Sequence, residues 1–397
     1  MIDPPDPRRT AAPLKGRGTA TLLAHRFEER SREALDDGWA PVAWPTTGRL
    51  TDADAQRQAE PAEHDADEFA IEGVPVTSVV HEQARSILSR NDSPDIPFTW
   101  SINPYRGCEH GCIYCYARPT HSYLNLSPGL DFETRLIAKV NAAELLRHAL
   151  SRPRYEPSPL HIGGITDAYQ PVERALRITR SILEVLDTCR HPFSIVTKSS
   201  GVERDLDLLA SAASRRQVLV IVSVTTLDPA LSRRLEPRAA SPQRRLQTVR
   251  RLARAGVPVG VNVAPIIPFL NEPEIERIVA AAAEAGAQSV HYTILRLPWE
   301  VNPLFQEWLD HHVPDQAARI MARIREMRGG QDYQADFGTR MKGQGIWADL
   351  IRQRVAKAVA RSGIGPIERT LTIEGFDPRL LASSPASRHT AGQGELF

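Results

Sequence analysis

The chain has 397 residues, enough for one large barrel or two to three ordinary domains with a sizeable core. Lys and Arg number 49 against 48 Asp and Glu, a balance that does not indicate a globally basic nucleic-acid binder but leaves room for a local basic patch. The four cysteines make no disulfide framework, no apolar run approaches the roughly 18 to 20 residues of a membrane span, and the N-terminus has no apolar signal core. The sequence therefore predicts a soluble cytoplasmic protein.

Residues 1–72 are rich in Pro, Ala, Arg and Asp and show no sustained apolar period, so a largely disordered or loosely packed arm is predicted. Residues 73–97 mix β-branched and helical character and read as an extended segment leading into the body. From Phe98 the pattern becomes regular. Short apolar runs at 98–105, 160–166, 193–198, 217–225, 257–267 and 289–295 alternate with helix-like stretches near 133–150, 172–189, 202–213, 242–255 and 273–285. That alternation predicts an α/β fold of parallel strands joined by helical crossovers, and six units over 98–300 fit an incomplete (β/α)6 TIM-like barrel. Residues 301–365 read as helices near 303–311, 315–328 and 346–361 around a glycine-hinged loop, a cover for the open side of the barrel. Residues 366–397 are expected to be mostly disordered.

Chemistry in such a barrel collects where strands end. The first run ends in NPYRGCEHGCIYCY, residues 103–116, which places Cys108, Cys112 and Cys115 within eight residues; Cys189 lies far downstream. Such clustering asks for a metal. A structural zinc normally takes four protein donors, and three thiolates suit a [4Fe-4S] cluster with one iron left open. His110 could complete a Cys3His zinc site, although its place two residues after Cys108 makes tetrahedral ligation awkward. Three buried, unliganded thiols are the plainest alternative, against which Pro104, Gly107 and Gly111 argue for a shaped loop. The second run ends in Gly163-Gly164-Ile165-Thr166-Asp167, where two glycines allow close backbone approach to a ligand and Thr166 and Asp167 offer polar contacts. The third ends in Lys198, a cation able to pair with a carboxylate or to sit solvated on the rim. The fourth ends in Ser223 and Thr225. Asn262 lies within the fifth apolar run and needs a partner. Arginines between 233 and 254 form the most basic stretch, either phosphate ligands or a solvated helix face. Cys189 reads as a buried structural thiol.

The motif CEHGCIYCY resembles the C-x3-C-x2-C signature of radical S-adenosylmethionine (AdoMet) enzymes, down to the aromatic Tyr114 before the third cysteine. The resemblance implies a [4Fe-4S] cluster on Cys108, Cys112 and Cys115, an open iron that chelates AdoMet, and a 5'-deoxyadenosyl radical that takes hydrogen from a substrate. It also implies that Tyr114 and Tyr116 flank the adenine side, and that Gly163, Gly164, Thr166, Asp167, Lys198 and Ser223 shape the AdoMet site; Asp167 departs from the usual GGE motif. Over about 100–300 the order of motifs is similar to the spore photoproduct lyase branch, in which a cysteine returns hydrogen to a thymine photoproduct in DNA. Gly164 stands at that cysteine's position, which puts the same repair reaction in doubt. Nucleic acid, DNA or RNA, is the leading expectation for the substrate, with flavodoxin or ferredoxin as reductant and no membrane partner; no catalytic side chain is assigned. The competing reading is a non-catalytic zinc or iron-sulfur module that binds nucleic acid.

Overall fold

The computed structural model describes residues 14–27, 76–364 and 371–383. Two sheets form. Strands Ser78–Glu82 (β1), Tyr105–Arg106 (β4) and Arg135–Lys139 (β5) make a small sheet in the order β1-β5-β4. The large sheet holds Leu88–Arg90 (β2), Trp100–Ile102 (β3), Leu160–Ile162 (β6), Phe193–Thr197 (β7), Val218–Ser223 (β8), Val259–Ile266 (β9) and Ser289–Ile294 (β10). Its spatial order is β10-β9-β8-β7-β6-β3-β2, with every neighbouring pair parallel except β2 against β3. Six parallel strands in chain order are the incomplete barrel that the alternating pattern predicts.

The crossovers are the helices Ala142–Leu150 (α1), Ile178–Thr188 (α2), Leu206–Ser214 (α3), Pro242–Arg254 (α4) and Ile275–Glu284 (α5). Helix α4 starts as its sequence dictates: the Ser241 hydroxyl accepts from the Arg244 amide at 3.3 Å, and Pro242 takes the first helical position. Alternate strand residues pack on these helices. Phe193, Ile195, Val218, Val220, Val222, Val259, Val261 and Val263 are buried in one core with Ile182, Leu186, Leu209, Leu252 and Ile278. Truncating a core leucine such as Leu252 to alanine costs about 2 to 5 kcal/mol. The opposite strand face, which lines the lumen, mixes Ser194, Ser223 and Asn262 with Val196, Leu219 and Ile221.

Three segments differ from expectation. The stretch 133–150 is not one helix, because Arg135–Lys139 pairs with Ser78–Glu82 across 57 residues, and only 142–150 coils. Residues 14–27 belong to the segment expected to be loose, yet Arg17 and His25 are buried against the body. Within the expected tail, residues 371–383 dock beneath the barrel: Phe376 packs edge-on against His191, and the Asp377 amide donates to the Cys189 carbonyl at 3.0 Å. The expectations for 1–13, 28–75, 365–370 and 384–397 lie outside the described residues.

Past β10 come Val301–His312 (α6), Pro314–Glu326 (α7) and Gly345–Arg361 (α8). Between α7 and α8, the Met341 carbonyl accepts from the Ile294 amide at 2.9 Å, so this segment runs along the exposed edge of β10. Arg328, fully buried, staples it there by donating to the carbonyls of Ile294, Leu295, Thr339 and Arg340. Arg340 then reaches Asp95, just ahead of β3, with Nε 2.7 Å from Oδ2. The gap between first and last strands is bridged by that ion pair.

Candidate active site at the barrel mouth

The three-cysteine loop is held from below and from outside. Gly107 has φ +80°, and a Cβ there would stand within 3.0 Å of Leu136, His121 and the Phe132 carbonyl, so only glycine fits. The next amide, of Cys108, donates to Phe132 O at 2.9 Å. Under the loop, the buried Arg118 guanidinium donates to Cys112 O at 3.0 Å and Gly129 O at 2.8 Å, and pairs with the equally buried Glu133. Glu133 also accepts from the Gly18 amide at 2.9 Å. Gly18 lies so close to Gly111 that a Cβ on it would collide with the Gly111 carbonyl. Residues 17–26 are thus a strap over the loop, fastened further by Thr21 on Glu307 at 2.6 Å and His25 on Asn125 at 3.0 Å. Sequence reasoning missed it. The pairing of a lone glycine with a glycine about ninety positions later carries no local signature.

On the β6 and β7 side of the mouth Thr166, Asp167, Gln170 and Thr197 are consumed by the protein. Thr166 donates to the Gly107 carbonyl at 2.7 Å, and Gln170 reaches both that carbonyl and the Thr166 hydroxyl. Asp167 accepts from Thr197 Oγ1 at 2.7 Å and from the amides of Lys198 and Tyr169 at 2.8 and 2.9 Å, with His110 Nδ1 at 3.3 Å. Burial pushes this carboxyl up, but His110 and the donated hydrogen bonds outweigh burial and hold it at about 2. Both Thr166 and Asp167, expected as AdoMet contacts, brace the cysteine loop and the end of β7 with these groups.

Glu236 forms a second brace. It is buried and accepts from Thr225 at 2.6 Å, from Tyr114 Oη and from Arg245. Burial raises its carboxyl, while Arg245 and Lys198 outweigh burial and hold it at about 2. The Tyr114 hydroxyl is therefore committed inside the protein. Arg245 is spent on Glu236 inside the protein, and three others of the arginine-rich stretch are likewise engaged: Arg238 with Glu109 at 3.3 Å, and Arg244 and Arg251 with Glu203 at 2.5 Å; Arg233 and Arg254 are exposed. Lys198 Nζ lies 5.8 Å from the Tyr114 ring centroid and makes no hydrogen bond among the described residues. Burial works against its charge, but Cys112 as thiolate and Glu236 keep it raised.

The β8, β9 and β10 side is different. Ser223 pairs in register with Asn262, and Asn262 with His291, so the three share one face, opposite the buried valines. Lys198, one residue beyond the Thr197–Val222 pair, falls on the same row. Asn262 Oδ1 is buried without a partner among the described residues, as is Ser289 Oγ beside it on β10. Across the mouth, Tyr116, half exposed, donates its hydroxyl to the Gly164 carbonyl, with the Arg296 guanidinium 5.5 Å from its ring centroid. Gly163, at φ +92°, sits with its Cα hydrogens facing Val196 O and has no room for a side chain.

These residues fit a cluster and AdoMet. The loop supplies three thiols; His110 turns its Nδ1 to Asp167, and Cys189 is buried at the far rim against Val185 O. Among the described residues no three His, Cys, Asp or Glu side chains gather as a single metal ion needs, whereas thiols of a four-iron cluster each address a different iron. Burial pushes the Cys112 thiol up to about 12 and Cys108 well above its usual value, so ligation releases protons. The orphaned Asn262 Oδ1 faces the same lumen and awaits a donor.

A parallel partial barrel whose first strand runs into a three-cysteine loop is the architecture of an iron-sulfur AdoMet enzyme. The Radical SAM superfamily pattern matches residues 102–282. Rv2578c of Mycobacterium tuberculosis is 35% identical over 268 residues, covering 67% of this chain and 75% of that one. MJ0683 of Methanocaldococcus jannaschii is 30% identical over 214 residues, covering 54% and 76%. Among solved structures, spore photoproduct lyase complexed with dinucleoside spore photoproduct shares the fold, with TM-score 0.52 and 16% identity over 72% of this chain and 80% of that one. The chain belongs to the radical SAM superfamily, whose enzymes use a [4Fe-4S] cluster and AdoMet.

Proposed function

We propose that Cys108, Cys112 and Cys115 hold a [4Fe-4S] cluster with one open iron, that AdoMet lies along the row of Lys198, Ser223 and Asn262, and that the substrate is a nucleic acid. Once reduced by one electron from a flavodoxin- or ferredoxin-type donor in the cytoplasm, the bound groups supply a 5'-deoxyadenosyl radical that takes a hydrogen atom from the substrate. The chain's own residues have the remaining work. Lys198 is the unpaired cation for a methionine carboxylate, and Ser223 and Asn262 offer hydrogen bonds to a polar ligand. Gly164, where a Cβ would meet nothing nearer than 3.7 Å, lets a ligand approach the backbone closely, while Gly163 is spent on packing against Val196 O. Glu236, Arg245 and Tyr114 fix the loop against β8, and the strap keeps water from its outer face.

The observation that carries this reading is a three-thiol loop facing a lumen whose Asn262 Oδ1 is buried and unpartnered. Support for nucleic acid comes from the neighbouring fold that binds a dinucleoside photoproduct. Gly164, in place of a thiol, argues for a different fate of the substrate radical. The test is anaerobic reconstitution with iron and sulfide, dithionite reduction and chromatographic assay of 5'-deoxyadenosine. Wild-type protein should form it and Cys112→Ala should not; equal formation by both, or a zinc protein inert to AdoMet, would overturn the reading in favour of a binding module.

A further inference from the structure

Arg296, at the end of β10, shares with Arg234 and Arg328 the lack of a carboxylate and a buried Nε without a partner among the described residues. Arg328, however, donates its Nη atoms to four backbone carbonyls, and Arg234 reaches His312 O at 3.4 Å. Arg118, Arg245, Arg340 and Arg354 each meet a carboxylate. Arg296 meets none among the described residues. Its Nη atoms make only long contacts, to Met341 Sδ at 3.5 Å and Tyr333 Oη at 3.4 Å, and its Nε is buried without a partner. The acids nearby are taken: Glu300 by Arg26 at 2.9 Å, Asp332 by Arg325 at 2.6 Å and Asn302 at 3.0 Å, and Asp95 by Arg340. A half-buried guanidinium that meets one ring and two long hydrogen-bond acceptors but no anion is left with its charge uncompensated inside the chain, and its planar fork suits a phosphate.

Beside it the surface is aromatic. Trp299 is 59% exposed and held at φ +46°, a conformation that a bulky residue adopts at a cost. Arg26 of the strap stacks under its indole at 4.4 Å, and the same guanidinium lies 5.5 Å from the ring of Tyr123, which is 70% exposed. Tyr333 lies 6.4 Å from Trp299. Two exposed rings, Trp299 and Tyr123, and the half-buried Tyr333, with a guanidinium lacking an anion between Tyr333 and Tyr116, form a stacking face next to an anion site. A duplex hides its base faces; an unpaired strand offers both a base and a phosphate.

We propose that the lip made by Tyr123, Trp299, Tyr333 and Arg296 binds a single-stranded nucleic acid, bases stacking on the rings and a backbone phosphate on Arg296, and leads it past Tyr116 to the barrel mouth. The proposal rests on the reading that a nucleic acid is transformed at that mouth. Its recognition elements lie on the turn after the cysteine loop, which carries Tyr123, and on the stretch after β10, with Arg26 of the strap supporting the rings, not in the arginine-rich α4 region.

The test is fluorescence anisotropy of a labelled oligothymidylate of about a dozen nucleotides with the cluster-loaded full chain, over a range of salt. Trp299→Ala should weaken binding by roughly 10-fold or more. Arg296→Gln should weaken it and lower the salt slope by about one. Trp299→Phe and Arg296→Lys, which restore ring and charge, should recover most of the affinity and exclude misfolding as the cause. Variants within twofold of wild type, a duplex bound as tightly as the single strand, or polyglutamate bound with the same dependence on Trp299 would each overturn the proposal. A chain that cleaves AdoMet but binds no strand sinks the lip alone; one that binds the strand through Trp299 and never cleaves AdoMet sinks the radical reading and leaves the lip standing.

Discussion

The two halves of the barrel mouth spend their polar groups differently. On the β6 and β7 side, Thr166 and Asp167 are saturated by Gly107 O, Thr197, His110 and two amides. On the β8 to β10 side, Asn262, Ser289 and Arg296 each keep a buried polar atom without a partner among the described residues. Such atoms also occur elsewhere among the described residues, His121 Nδ1 near the loop included, but Asn262 Oδ1 lies on the strand row of Ser223 and Lys198, where a ligand would complete its hydrogen bonding. The first half builds the loop, and the second half is where the proposed function seats the ligand.

This contrast can be broken by substitution. The largest effect is expected at Arg118→Ala, which strands the fully buried Glu133 and should cost about 3 to 5 kcal/mol in chemical denaturation. Next, Asp167→Ala should destabilise the ligand-free chain by about 1 to 3 kcal/mol, because it orphans donors on the braced side. Asn262→Leu should leave the ligand-free melting temperature level or raised while AdoMet affinity, measured by equilibrium dialysis, falls. Equal losses of stability from both would erase the distinction between the halves. Gly18→Val should lift the strap, visible as faster iron loss in air with little change in barrel unfolding.

The pH dependence sharpens the same point. Glu236 is held at about 2 against an ordinary 4.5, so its contribution is complete above the unfolded value and is lost as pH falls from there through the folded one. Stability measured from pH 5 down to 2.5 should fall in wild type and fall less steeply in Glu236→Gln. The smallest effect is expected at Gly164→Cys. A Cβ there meets nothing nearer than His161 at 3.7 Å, so the chain should fold with its melting temperature nearly unchanged.

Much of this was legible in the sequence, for physical reasons. Short apolar runs separated by amphipathic stretches marked all six parallel strands and most of the helices between them, because parallel strands covered by crossover helices read as near-continuous apolar runs. The cysteine spacing marked the loop. What escaped depended on partners far along the chain. Residues 135–139 read as helix because their strand partner lies 57 positions upstream. Arg244, Arg245 and Arg251 of α4 read as phosphate ligands or a solvated face because Glu203 and Glu236, which take them, are brought close only by the fold, while Arg254 is exposed as a solvated face requires. Asp167 read as a ligand contact, although the adjacent β7 end supplies Thr197 and the Lys198 amide. Arg296 drew no notice, since a missing carboxylate has no sequence signature.

The most direct measurement is electron paramagnetic resonance of the dithionite-reduced, anaerobically reconstituted chain with and without AdoMet. A three-thiol cluster with an open iron facing the lumen predicts a reduced [4Fe-4S] signal in wild type whose g values shift when AdoMet is added, and a weaker shift at the same AdoMet concentration in Asn262→Leu. A signal indifferent to AdoMet, or no iron-sulfur signal in protein that instead retains zinc, would contradict the account.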